Sequence, residues 1–395
     1  MHLQTDATKT PAGLVFSDAE YARRLSAVRD EIRTAGLDAL LISIPQNYYY
    51  LTGYQSGISH SLMFLVLPCE GEAFWVARRT ELSNVRVFAE EMWAKTAYGV
   101  DDADDFVDVL VRALEEAGMA SATLGIEQDS PTFSIGQYAR LQSALPKARL
   151  RDATGTVEKV RVVKTKAELT YLREAGEITA RALLDCFEAM AEGVTDTELG
   201  AVLTASAIRN GSDRMSCQPF LAFGARTALA HAGWIGEPLR LGEIVNAEVA
   251  CAVARYHVPT FRVFSLGKPD AELQRMHDVS QKAMEAGLAG IEPGMTADAA
   301  DRLVRAVIDG AGYGDAFVVR AAYGIGTAFP PSWGESTVIN IKRGEMRVLV
   351  PGMTFHLVPA LYADGLGCVC CSMPIEITET GVAPLTSIEP KLMVK

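Results

Sequence analysis

The chain has 395 residues, 49% of them hydrophobic and 22% charged, and a formal net charge of −12. That length allows two or three domains with sizeable cores, and the composition is ordinary for a globular protein. Acids and bases are interspersed, with no basic stripe to hold a phosphate backbone and no run near the ~18–20 apolar residues of a membrane span, which sets aside nucleic-acid and membrane binding.

Met1 to Ala12 is polar and contains Asp6, so it does not read as a secretory signal. Seven cysteines, an odd number, then point to reduced thiols and a cytoplasmic setting. Ser17-Asp-Ala-Glu20 is a capping-box signature that opens a helix running to about Ala35, where Gly36 ends it. Asp38 to Ile44 is an apolar strand stopped by Pro45. Ser61 to Leu67 and Ala73 to Ala77 read as strands on either side of a turn at Glu70-Gly71-Glu72. Phe106 to Ala117 is helical and Thr123 to Glu127 is again strand. This alternation predicts a layered α/β domain over residues 1–154.

Residues 155–395 form the second predicted domain. Thr165-Lys-Ala-Glu168 caps a helix along which Leu169, Leu172, Ala175, Ile178 and Ala182 recur at helical spacing. The pattern then repeats. Gly193-Val-Thr-Asp-Thr-Glu198 and Gly294-Met-Thr-Ala-Asp298 each start a helix, and Gly242-Glu243 and Gly344-Glu345 precede apolar strands, Ile244 to Val253 and Met346 to Pro359. Two similar halves facing each other place a pocket on their pseudo-twofold axis. Cys368-Val-Cys-Cys371 reads as a buried strand rather than a metal site, since no second cysteine pair at zinc spacing accompanies it.

These features carry a resemblance. Asn47 to Tyr54 (NYYYLTGY) and the duplicated second half are similar to the creatinase/aminopeptidase P superfamily, over nearly the whole chain from Phe16 onward. The resemblance implies an α/β (α+β) fold: a creatinase-like N-terminal α/β domain and a C-terminal pita-bread domain with an internal pseudo-twofold duplication. In the peptidases of this superfamily two aspartates, a histidine and two glutamates hold two metal ions. Carried over motif by motif, those positions fall on Glu248, Pro259, Tyr323, Val358 and Ser372. Proline and valine have no donor, and tyrosine and serine are weak neutral ligands, so neither metal nor other cofactor is expected. Arg255-Tyr-His-Val-Pro259, Tyr323-Gly-Ile-Gly326, Phe329 to Glu335, Pro351 to His356 and Pro390 to Lys395 resemble ectoine hydrolase, a non-peptidase branch.

The expected activity is therefore metal-independent hydrolysis of an amidine-type C–N bond in a small zwitterionic compound. The alternatives are a creatinase-type amidinohydrolase on a guanidino acid and a catalytically silent pita-bread binding protein. Glu248, a carboxylate in an apolar strand, is the candidate partner or nucleophile for a cationic carbon; its plain alternative is an ion pair with Arg255 or Arg262. His231 matches the creatinase-type catalytic histidine and is the candidate general acid/base. Candidate substrate-binding residues are His257, His356, Tyr323, Trp333, Glu335 and His60, with Arg262 or Arg320 as a clamp for a substrate carboxylate. The resemblance also implies a homodimer in which one subunit's N-terminal domain covers the other's site, which is where His60 would act.

Overall fold

The computed structural model describes residues 14–56, 61–89 and 92–395, in two compact units that meet at Arg161 and Val162. The sequence boundary at Thr154 sits just before a short helix that is tied to the first unit, where Arg161 Nε donates to Asn47 Oδ1 at 2.8 Å. His60 lies outside the described residues.

The first unit runs α1 (Asp18–Thr34), β1 (Ala39–Ile42), α2 (Pro45–Thr52), β2 (Phe64–Pro68), β3 (Phe74–Arg78), α3 (Leu82–Ala89), β4 (Thr96–Val100), α4 (Phe106–Glu116), β5 (Thr123–Ile126), α5 (Ile135–Ala144), β6 (Arg149–Asp152) and α6 (Glu158–Arg161). Ser17 caps α1 by accepting from the Glu20 amide, as its sequence signature requires. Among the described residues the strands form one mixed six-stranded sheet in the order β4-β3-β2-β1-β5-β6. Two kinds of element escape a pattern reading. Helix α2 is buried on all sides and shows no amphipathic period. Edge strand β6 is largely exposed and edge strand β4 mostly half-buried, and both lack apolar alternation.

The second unit opens with α7 (Lys166–Ala189), held by a reciprocal capping box between Thr165 and Glu168, and α8 (Asp196–Arg209). Strands β7 (Phe220–Phe223), β8 (Ile244–Val253) and β9 (Tyr256–Ser265) follow, then α9 (Ala271–Gly290) and α10 (Ala297–Gly310). The last third contributes β10 (Ala322–Gly324), β11 (Asn340–Ile341), β12 (Thr354–Leu357), β13 (Leu361–Ala363), β14 (Gly367–Val369), β15 (Met373–Ile377), β16 (Val382–Pro384) and β17 (Met393–Val394). Two sheets result, β17-β9-β8-β7 and β11-β10-β12-β15-β16, besides the hairpin β13-β14. Each packs its own helix pair: α7 and α8 share an apolar core with β7 to β9, and α9 and α10 with β10 to β15.

The duplication extends to single hydrogen bonds. Gly193 N donates to Leu239 O at 2.8 Å and Gly294 N to Leu349 O at 2.8 Å. In return Leu239 N donates to Val194 O at 2.9 Å and Leu349 N to Met295 O at 2.8 Å. Those bonds explain a departure from the sequence expectation: of Met346 to Pro359 only Thr354–Leu357 is strand, because residues 345, 347 and 349 bond instead to the turn that starts α10.

Helix α7 meets the chain end closely. The Thr386 hydroxyl donates to Gly176 O at 3.0 Å, and a Cβ on Gly176 would lie 1.7 Å from Leu385 O, a backbone atom. Gly176→Ala is therefore expected to cost about 3 kcal/mol or more, read as a lowered urea midpoint; an unchanged midpoint would refute this packing of α7.

Candidate active site

Strand alternation turns Asn246 and Glu248 to one face of β8. Pairing sets Glu248 opposite Phe220 of β7 on one side and Phe261 of β9 on the other, so the carboxyl stands in a row with two phenyl rings. All four residues line a cavity of about 970 Å³. His231, Arg320, Tyr323 and Trp333 line it too. The Phe220 ring lies 4.9 Å from His231 and 5.0 Å from Trp333, centroid to centroid, both tilted. His231 holds a left-handed backbone, φ 57, which is uncommon for a non-glycine and marks a locally strained loop.

Glu248 has a side chain 15% exposed, toward this cavity. Neither arginine offered by the sequence pairs with it. Arg255 bonds Arg214 O, Ala328 O and the Ser216 hydroxyl. Arg262 is fully buried and donates to the carbonyls of Phe261, Ser372, Ile388 and Glu389. Among the described residues the basic group within 4 Å of the carboxyl is His356, with Nδ1 3.9 Å from Oε1. Burial pushes that imidazole down to about 3, so it is neutral and no counter-ion. The same desolvation, unopposed, pushes Glu248 up to about 7.

Behind Glu248 runs a chain of hydrogen bonds. Trp333 Nε1 donates to the Tyr323 hydroxyl at 2.9 Å, and that hydroxyl meets His356 Nδ1 at 2.8 Å. His356 Nε2 meets the Ser372 hydroxyl at 2.7 Å, and Ser372 accepts from Phe261 N at 2.8 Å and donates to Phe261 O at 3.2 Å. Donor and acceptor capacities allow two directions. With the Ser372 proton on Phe261 O, His356 carries its hydrogen on Nε2 and accepts from Tyr323 on Nδ1; with that proton on Nε2 the His356 hydrogen sits on Nδ1 and faces Tyr323 instead.

Of the residues singled out by sequence, Glu248, His231, Tyr323, Trp333 and Arg320 meet at the cavity, with His356 directly behind Tyr323. Three others do not line it. Arg262 follows Phe261 on β9 and so points through the sheet to its other face. His257 is buried, with Nδ1 on Arg255 O at 2.8 Å and Nε2 facing Ser216 N at 3.1 Å. The Glu335 carboxylate turns inward to a buried ion pair with Lys164, 2.8 Å away. Phe220 and Asn246 are cavity residues that sequence reading missed. Cross-strand pairing identifies Phe220, and Asn246 could have been found from its position two residues before Glu248 on the same strand face.

The five positions that hold two metal ions in the peptidases were tested against this geometry. Pro259 and Val358 offer no donor; the Tyr323 and Ser372 hydroxyls are committed to the hydrogen-bond chain. Among the described residues no three His, Cys, Asp or Glu side chains gather to hold a metal ion. The donor set does not fit a dinuclear centre.

Residues 170–379 match metallopeptidase family M24, and residues 24–163 match the creatinase/prolidase N-terminal domain. The chain belongs to family M24. It is 32% identical to ectoine hydrolase of Halomonas elongata over 97% of this chain and 99% of that one. Among solved structures it resembles dipeptidase PepE from Mycobacterium ulcerans, with 26% identity, a TM-score of 0.82, and 96% and 99% of the two chains covered. Prolidase from Thermococcus sibiricus shares the fold at a TM-score of 0.86 and 22% identity, over 96% and 100%. The M24 member is thus a hydrolase relative whose similar proteins include both a non-peptide hydrolase and dipeptidases. No helix among the described residues is long and apolar enough to cross a membrane.

The raised Glu248 value has a consequence for stability. The folded chain keeps a proton that the unfolded chain releases near 4.5, so this group's contribution is intact below about pH 4.5 and is lost as pH rises through about 7. Glu248→Gln stays neutral throughout. Its stability relative to wild type should be level at pH 4.5 and rise by up to about 3 kcal/mol by pH 8. Parallel denaturation curves across that range would show that Glu248 is not desolvated as described.

Proposed function

We propose that this M24 member hydrolyses an amidine-type C–N bond in a small molecule without metal, with Glu248 and His231 as its catalytic residues. The observation that carries the reading is a carboxyl facing a cavity with no cation beside it, between aromatic rings. A planar amidinium supplies the missing charge, donates N–H groups to the carboxylate, and meets the aromatic wall formed by Phe220 and Trp333.

In this reading ionised Glu248 either holds the amidinium or attacks its carbon. His231 takes a proton from the incoming water and returns it to the departing nitrogen, so the C–N bond is replaced by a carbonyl and a free amine. Among the described residues its imidazole has no hydrogen-bond partner, and it lines the cavity, which leaves its ring nitrogens available for proton transfer.

The test is turnover of ectoine, creatine and Xaa-Pro dipeptides, each with and without chelator. Chelator-insensitive cleavage of a cyclic amidine is expected, with kcat/KM rising with pH to a plateau above about 7 as Glu248 ionises. Glu248→Gln should remove that activity, and His231→Ala should lower kcat by about 10²–10⁴-fold while leaving the fold intact. Metal-dependent dipeptide cleavage, or full activity in His231→Ala, would overturn the reading.

A further inference from the structure

Arg320 is the cationic side chain of the cavity wall, and among the described residues it has no acidic partner. Asp315 and Asp364 line the same cavity, yet neither forms an ion pair with it. Its only close polar contact is with a ring: the guanidinium carbon sits 5.0 Å from the centroid of Tyr323. Stacking of this kind holds the plane of a guanidinium while leaving its edge N–H groups free for a bidentate acceptor.

The segment that carries Arg320 is held from inside. Asp301 and Arg305, four residues apart on α10, form a buried ion pair at 3.0 Å. Arg305 donates to Phe317 O at 3.3 Å and Val319 O at 3.2 Å, and its guanidinium stacks 4.3 Å from the Phe317 ring. Asp301 accepts from Ala321 N at 3.2 Å. Backbone anchors therefore flank Arg320 immediately on both sides, at Val319 and Ala321. Exposed arginines on unanchored loops lose much of their binding energy to ordering; this one is already placed.

Tyr323 links this cation to the carboxyl. Its ring carries Arg320 on one side, and its hydroxyl bonds His356, whose Nδ1 is 3.9 Å from Glu248. Arg320, Tyr323 and Glu248 line the same cavity.

We propose that Arg320 binds a carboxylate of the substrate, so that the site selects an amidinium carboxylate, cation at Glu248 and anion at Arg320. This rests on the amidine reading above and adds the second half of the substrate. Asp301 and Arg305 are positioning residues for the clamp.

The experiment compares ectoine, a cyclic amidine carboxylate, with the same ring lacking its carboxylate, on wild type, Arg320→Met and Arg320→Lys. Arg320→Met should lower kcat/KM for ectoine about 30- to 100-fold, mostly through KM, and leave the carboxylate-free ring within about twofold. Arg320→Lys, a point charge without the fork, should recover part of the loss. Equal losses on both compounds, or none on either, would overturn the proposal while the amidine reading stands. Thermal shift with each compound reads binding independently of cleavage. A shift with ectoine that Arg320→Met abolishes supports the carboxylate site even where neither compound is cleaved, and in that case only the amidine hydrolysis falls. No shift of wild type by either compound would overturn both.

Discussion

Glu248 leaves water without gaining a cation in exchange, and that imbalance organises the site. Desolvating a carboxylate costs several kcal/mol, which proteins ordinarily recover through an ion pair or several hydrogen bonds. Here the two arginines nearest in sequence on the same hairpin are spent on backbone carbonyls, and the adjacent histidine is neutral. The chain therefore stores an unmet electrostatic demand at one point of the cavity. Binding a cation there relieves a cost already present in the fold, which is how a modest number of contacts gains selectivity. The neighbouring aromatic faces add to it, because a carboxylate and a ring quadrupole both favour positive charge.

Much of this was legible from residues alone. The capping box at Thr165, the helix start over Gly193 to Glu198 and the Gly242-Glu243 turn located α7, α8 and β8, since caps and turns are local chemistry. The prominence of Glu248 was legible for a similar reason: a charge amid Val245, Val249 and Val253 contradicts its surroundings and calls for an explanation. What failed were arguments about orientation. Arg262, His257 and Glu335 have the right chemistry near the right place, but the side of a strand or loop on which a side chain emerges depends on register. One residue separates cavity-lining Phe261 from Arg262 behind the sheet. Phe220 went unremarked because a phenylalanine in an apolar strand looks like core until its partner across the ladder is known to be Glu248.

The histidines make the same point in electrostatic terms. His257 and His356 sit in strands, and burial pushes both down to about 3, so they are hydrogen-bonding wedges and not proton carriers near neutrality. His231, on a loop beside Phe220 with a left-handed backbone, lines the cavity, and it is the histidine to which the proposed reaction assigns proton transfer. Element type thus separates structural from chemical imidazoles here better than proximity does.

The hydrogen-bond chain behind Glu248 also bears on how this site relates to a metal-binding one. Tyr323 and Ser372 fall on two positions that the sequence resemblance assigns to peptidase metal ligands, and they are joined through His356, so the three side chains satisfy one another. Such a network is mutually dependent. Returning Tyr323 to histidine would supply one metal donor but strip Trp333 Nε1 of its acceptor and His356 Nδ1 of its partner, each a buried group whose orphaning costs about 1–3 kcal/mol. Returning Ser372 to glutamate would add a second buried carboxyl near the first and remove the hydroxyl that donates to Phe261 O. Each single reversion is unfavourable before any metal can be held, because Pro259 and Val358 still contribute nothing. The polar chain and the metal centre are alternative fillings of one space, and the physics of buried hydrogen bonds makes the step between them all or none.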